Sequence, residues 1–192
     1  TVTPEGASEL DAVLARAGAG ASDDILVAAP GSRWATKRWP SERFAESADA
    51  VASEFGLGVV LTGEPRDADA ARDVGRRASS VIADTTGRLS IPAWIALIAR
   101  ARLLVCNDSA AAHVAAAVGT PVVAVFGPTV PAQGFAPYTD RARVVEADIE
   151  CRPCGSHGGE RCPLNTLACM LDVPAGVVVD RARELLEEGA AP

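Results

Sequence analysis

Short apolar runs recur along this chain with hardly a polar residue inside them: ILVAAPG from Ile25, VVLTG from Val59, SSVIAD from Ser79, RLLVC from Arg102 and PVVAVFG from Pro121. A strand with one wet face alternates apolar and polar side chains. These do not alternate, so both of their faces must be covered. The stretches between them carry a helical period. Ser41 reads as an N-cap, and behind it Phe44, Ala48, Val51 and Phe55 fall on one helical face. Asp67 to Ala78 is a more polar and weakly periodic helix. Ser90 opens a helix with Pro92 in its first turn and Ile91, Ile95 and Ile98 on one face. Ser109 to Val118 is a helix of small residues, ARVVEA from Ala142 is one more strand, and Val178, Ala182 and Leu185 mark a last helix ending at Gly189. Strand and helix in strict alternation predict an α/β domain built on a doubly wound parallel sheet with right-handed crossovers. In such sheets ligands bind beyond the carboxyl ends of the strands. The loops to read for chemistry are therefore 30–40, 62–67, 84–90, 106–113 and 127–138.

The totals narrow the partners. The 192 residues suffice for one compact domain with a core. Asp and Glu number 25 against 18 Lys and Arg, a formal net charge of −7, which argues against broad nucleic-acid binding and against a polybasic membrane anchor. No apolar run approaches the roughly 18 residues of a membrane span, and the start carries no signal-peptide pattern. Five cysteines are an odd number, unlike a secreted disulfide scaffold, and favour the cytosol. The chain opens on Thr1, as a processed or excised piece would. Residues 1–22 read as a linker or partial helix: Glu9 to Arg16 can form one helix, and Gly18 to Ser22 is linker-like. Residues 23–192 read as one domain, with a cysteine-rich loop at 151–169 and the terminal helix at 174–188.

Four segments can carry chemistry. In PGSRWATKRWP, residues 30–40, Ser32 offers a hydroxyl and Arg33, Lys37 and Arg38 offer cations, flanked by Trp34 and Trp39. A phosphate suits that mix; a solvated basic loop with packed tryptophans suits it equally well. In CNDSAAAHV, Asp108 or Ser109 would cap the helix, whose bare first turn then presents N–H groups and a positive dipole end to an anion. The small side chains of this helix let a phosphate approach the backbone closely, and His113, one turn in, can donate to a phosphate or sugar oxygen or can pack against a neighbouring loop. Glu64, behind the second strand, can hold a ribose diol or simply face solvent. Cys151, Cys154, Cys162 and Cys169 follow C-x2-C-x7-C-x6-C, with His157 inside the run. That spacing admits a structural zinc with four protein ligands, two disulfides or free thiols. Cys106 reads as a small buried apolar residue.

Three of these segments together carry a resemblance. PGSRWATKRWPSERFAE, VVLTGEPRD and above all LIARARLLVCNDSAAAHVAAAVGTPVVAVFGPT resemble the carboxyl-terminal domain of glycosyltransferase family 9, the heptosyltransferase family, over about residues 23–188. The resemblance implies the GT-B plan, two Rossmann-like domains facing a cleft. It implies that this half binds a nucleotide sugar, commonly ADP-heptose. The amino-terminal half, expected to be missing here, binds the acceptor and supplies the base. It implies inverting transfer with no cofactor and no catalytic metal, in lipopolysaccharide core assembly at the cytoplasmic face of the inner membrane. By position, Ser32 and Lys37 would contact the diphosphate, and Arg33 would help to steady it. Glu64 would bind the ribose, and Asp108, Ser109 and His113 would line the donor pocket. Where the family often has glycine, this chain has Ala110, whose methyl narrows the phosphate approach. The terminal helix would help bridge to the missing half, leaving an apolar surface exposed that can drive dimerisation. A stand-alone nucleotide-binding domain, a GT-B nucleotide-sugar epimerase and a zinc module at 151–169 are the competing readings.

Overall fold

The computed structural model describes residues 1–20 and 24–189. Its six strands are β1 (Ile25–Ala29), β2 (Gly58–Leu61), β3 (Val81–Asp84), β4 (Leu103–Asn107), β5 (Val122–Phe126) and β6 (Ala142–Glu146). They form one sheet in the order β3-β2-β1-β4-β5-β6, every neighbouring pair parallel. The chain winds outward from β1 to β3, returns to the centre at β4 and winds outward again. The strand order therefore reverses between β1 and β4, where a doubly wound sheet opens its crevice.

Helices cover both faces. Along β1, Leu26 and Ala28 point into one core, shared with Phe44, Ala48 and Val51 of α2 (Ser41–Phe55) and Ala71 and Val74 of α3 (Ala68–Arg77). Ile25, Val27 and Ala29 point into the other, shared with Ala96, Leu97 and Ile98 of α4 (Ile91–Arg100) and Ala111, Ala112 and Ala115 of α5 (Ala110–Val118). The uninterrupted apolar character of the strands follows from that two-sided burial. A short helix α6 (Ala168–Leu171) and α7 (Ala175–Glu188) complete the first layer, with Met170, Val178, Ala182, Leu185 and Leu186 in the core.

Several expectations are corrected. The helix expected over Glu9 to Arg16 is present and starts earlier than expected. Pro4–Arg16 is a full helix, α1, capped by Thr3 and seated on α4 through Leu10 and Leu14, both buried in the second core. The linker expected over 18–22 lies partly outside the described residues, and of its described part Ala19 is buried. Ser41 does not cap α2: the chain enters through Pro40, and Ser41 is already the first helical residue. Ser90 does cap α4, accepting from the Ala93 N–H at 3.4 Å. Of the expected isoleucine face, Ile98 is fully buried and Ile95 half-buried, but Ile91 is 72% exposed, because α4 docks through Ala93, Ala96, Leu97 and Ile98. The terminal helix leaves no bare apolar face, since its apolar residues already fill the groove between α2 and the sheet. Among the described residues the exposed large apolar side chains are Val2, Ile91, Tyr138, Leu164, Leu171 and Val177, spread over several elements. None of the described helices is long and apolar enough to cross a membrane.

Candidate functional site

The register of the two central strands builds the crevice. Ala29 stands opposite Cys106, which sets Pro30 level with Asn107 as the chains leave the sheet. Asn107 is fully buried there. Its amide donates to the carbonyls of Pro30 (2.8 Å) and Gly31 (3.2 Å) and its carbonyl accepts the Trp39 N–H (3.0 Å). One asparagine thus ties both ends of the 30–40 loop to the end of β4. Trp39 is itself anchored, its indole N–H donating to the Val173 carbonyl at 3.0 Å. Gly31 must be glycine for space: a Cβ there would lie 2.1–2.4 Å from the carboxyl atoms of Asp67.

At the crevice, Lys37 meets Asp108. Their charged atoms are 2.5 Å apart, and the two side chains are only 7% and 5% exposed. Lys37 is the single lysine of the whole sequence. Asp108 also accepts from the Thr129 hydroxyl, which arrives on the loop after β5. The ammonium lies 4.9 Å from the centroid of the Phe135 ring, a cation–π contact. A buried ammonium needs a counter-charge, and a buried carboxylate needs donors; each supplies the other, with Thr129 taking part of the remaining capacity. Three loops, after β1, β4 and β5, therefore converge on one ion pair.

The structure brings some of the expected site residues together and separates others. Asp108 does not cap α5, nor does the Ser109 side chain, although Ser109 occupies the cap position. The acid is already paired with Lys37 and Thr129, so the first turn of α5 has no side-chain cap. Ala110 is exposed at that turn, and His113 is exposed one turn further along. The packed-histidine alternative therefore does not hold. Ser32 is buried beside the crevice, its carbonyl accepting from Arg38 at 2.9 Å. Arg33 is exposed, 5.3 Å above the Trp34 ring. Glu64 lies one strand over, behind β2, exposed and ion-paired with Arg66. Its backbone N–H donates to Asp67 at 3.0 Å.

The cysteine-rich segment is not an assembled zinc site. All five cysteines are free. Cys151, Cys154, Cys162 and Cys169 line one cavity of about 270 Å³, but no three of the described His, Cys, Asp and Glu side chains are placed to hold a metal ion. The thiols differ chemically. Cys162 is held below the usual thiol range by the Leu167 backbone N–H and, against a small burial cost, by those of Leu164 and Thr166. Burial pushes the Cys169 thiol up to about 11 and raises Cys106 further still. Arg152, at the base of the segment, donates to the carbonyls of Gly127, Ala147 (2.7 Å) and Thr129 (2.8 Å) and pairs with Glu146 at 2.8 Å. That fixes the segment to the ends of β5 and β6.

Sequence reasoning passed over Asn107, Thr129, Thr36 and Asp67. Asn107 had a visible signal, the first polar residue after four apolar strand positions. Thr129 and Thr36 act through contacts far apart in the chain, as does the close approach of Asp67 to Gly31, and these have none.

Fold and crevice together define a Rossmann-like α/β domain of the GT-B kind. A family model for glycosyltransferase family 9 (heptosyltransferase) matches residues 5–162, so the chain belongs to that family. It is 28% identical to lipooligosaccharide heptosyltransferase 2 of Haemophilus influenzae, over 84% of this chain and 47% of that protein. To lipopolysaccharide heptosyltransferase 1 of Pseudomonas aeruginosa it is 36% identical, over 67% of this chain and 36% of that protein. Among solved structures, a Veillonella parvula family 9 glycosyltransferase superposes with a TM-score of 0.78 at 26% identity, covering 98% of this chain and 53% of that one. The Escherichia coli ADP-heptose lipopolysaccharide heptosyltransferase II gives 0.77 at 25%, covering 100% and 54%. The chain thus spans about half or less of the length of these relatives.

Proposed function

We propose that this domain is the nucleotide-sugar half of an inverting heptosyltransferase-like enzyme, with ADP-heptose or a close relative as donor. The observation that carries the reading is the buried Lys37–Asp108 pair at the point where the strand order reverses, beside the uncapped first turn of α5. A bare carboxylate there would repel a diphosphate. Paired with an ammonium and accepting from Thr129, Asp108 adds no net charge to the entrance. Lys37 keeps two of its three N–H donors beyond the one given to Asp108. The first N–H groups of α5 offer the second anion contact. Ser109, Ala110 and His113 form the wall on that side, Ser32 and Arg33 the opposite lip, and Glu64 the far end toward the ribose.

In the complete enzyme an acceptor hydroxyl, deprotonated by a base from the other half, attacks the anomeric carbon. The bond to the diphosphate oxygen breaks with inversion. The negative charge that develops on the departing diphosphate is what Lys37, Arg33 and the α5 terminus stabilise. The donor identity draws on the Escherichia coli relative, described as an ADP-heptose enzyme. The acceptor in this reading is a lipopolysaccharide core or a related glycan, which would place the enzyme at the cytoplasmic face of the inner membrane as a peripheral protein. Alone, this half binds donor and does not transfer. Calorimetric titration with ADP, UDP and GDP tests the reading. ADP should bind most tightly, and heat from none of the three would sink the donor-site assignment.

A further inference from the structure

We infer that the glycine tip of the cysteine-rich segment, residues 157–159, is a working part of the crevice, and that Thr36 is the positioning residue through which it holds Lys37 in place. This rests on the reading of the Lys37–Asp108 crevice as the donor site.

Thr36 and Gly159 lie 123 positions apart in the chain and are joined three times over. The Thr36 N–H donates to the Gly159 carbonyl at 3.0 Å, the Thr36 hydroxyl donates to the same carbonyl at 2.8 Å, and it accepts the Gly159 N–H at 2.9 Å. Thr36 is buried and Gly159 half-buried, so these bonds are partly shielded from water. Next to them the rings of Trp34 and His157 stack with centroids 5.0 Å apart and planes 8° from parallel. Between these two contacts Gly158 lies flat on the lysine. Its φ of +86° suits glycine, and a Cβ there would come within 3.2 Å of both Cγ and Cε of Lys37 and 3.3 Å of the Thr36 hydroxyl.

The far side of the segment is held just as firmly. Cys154 N–H donates to the Pro128 carbonyl at 2.9 Å and Gln133 donates to the Gly155 carbonyl at 2.8 Å. The segment therefore bridges the loop after β1 to the loop after β5, and its tip covers the stem of Lys37.

The physical consequence concerns entropy. A lysine stem has four rotatable bonds, and freezing it when ligand arrives costs conformational entropy. Here Gly158 packs one side, Asp108 holds the ammonium, and Thr36 fixes the backbone from which the stem departs. The cost is met in folding, and the cation stands ready for an anion. The 30–40 loop does not do this alone: Thr36 needs Gly159 as its partner, and Gly158 of the cysteine-rich segment supplies the packing.

The test uses Thr36→Val, Thr36→Ser and Gly158→Ala, with two readouts. One is ADP affinity by calorimetry. The other is the rate at which an amine-reactive reagent labels Lys37, the chain's single lysine, read by mass spectrometry. Thr36→Val should weaken ADP binding about five- to tenfold and speed Lys37 labelling by a similar factor, as loss of a shielded hydrogen-bond clamp predicts. Thr36→Ser keeps the hydroxyl and should recover most of both. Gly158→Ala should speed labelling even where the thermal midpoint hardly moves. Unchanged labelling in Thr36→Val and Gly158→Ala would overturn the inference. If the unaltered chain fails to bind ADP, the donor-site reading falls, and the labelling rates still decide whether the tip holds Lys37.

Discussion

The residue that organises this crevice is Asp108, and it works differently from the helix cap that its position before α5 suggests. Because Lys37 and Asp108 are both almost fully buried, removing one charge strands the other in a medium that solvates it poorly. Asp108→Asn should therefore destabilise the domain by roughly 3–5 kcal/mol, whereas the paired change Lys37→Met with Asp108→Leu should cost far less. Urea unfolding of the two variants checks this, and equal losses would mean the pair contributes only as packing. The thiols give a second prediction. Burial raises Cys169 to about 11 from an ordinary 9.0, and Cys106 moves in the same direction. For groups raised in the folded state, the contribution to stability is full below the ordinary thiol value and is lost as pH climbs toward the folded one. The urea midpoint should thus fall between pH about 9 and about 11. In the native protein Cys162, with its thiolate supported by backbone N–H groups, should alkylate before Cys106 and Cys169. Labelling of Cys106 first would contradict the burial described above.

Among the elements, α1 departs furthest from its sequence. The residues before the first strand suggest a short helix over Glu9 to Arg16 on a linker-like tether, yet the helix starts at Pro4 and docks on α4 through Leu10 and Leu14. Its fit is close: at Gly6 a Cβ would come 2.7 Å from the Pro92 backbone. Exposed ends of the contact add Glu9 to Ser90 (2.6 Å) and Arg100 to Asp11 (2.5 Å). Leu10→Ala should destabilise the whole domain by about 2–5 kcal/mol, as burial of a leucine in a packed core requires. A loss under about 0.5 kcal/mol in thermal or urea unfolding, the range of surface substitutions, would mean that α1 is only loosely attached. The other helices were legible because their burial follows a 3.6-residue period that the sequence carries within ten or fifteen positions. α4 shows the limit of that reading. Its isoleucines advertise one face, but only Ile98 is fully buried, beside Ala93, Ala96 and Leu97, and Ile91 is left to solvent. Small residues pack well where backbones approach closely, and a count of bulky apolar side chains does not see that.

For the molecule as a whole, the reversal of strand order between β1 and β4 decides where a ligand can go. That reversal brings the loops after β1, β4 and β5 to one place and sends Glu64 to the flank. Joined to an acceptor-binding half from a family 9 relative, the domain should support sugar transfer from ADP-heptose, and Lys37→Ala should lower kcat/KM by about tenfold or more. Product analysis by mass spectrometry follows the transfer. An unchanged kcat/KM in Lys37→Ala would remove the lysine from the reaction. The sequence by itself determined the α/β alternation, the two-sided sheet, the family and the segments that face the crevice. These depend on burial patterns and motifs that are local in the chain. Only the tertiary structure decided that Lys37 belongs to Asp108, that Asn107 knots the β1 loop to β4, that four cysteines share a cavity without forming a metal site, and that Gly158 rests on the lysine. Each of those is a contact across 68 to 121 positions or a matter of ångströms, set by which strands lie side by side, and no local pattern of residues encodes it.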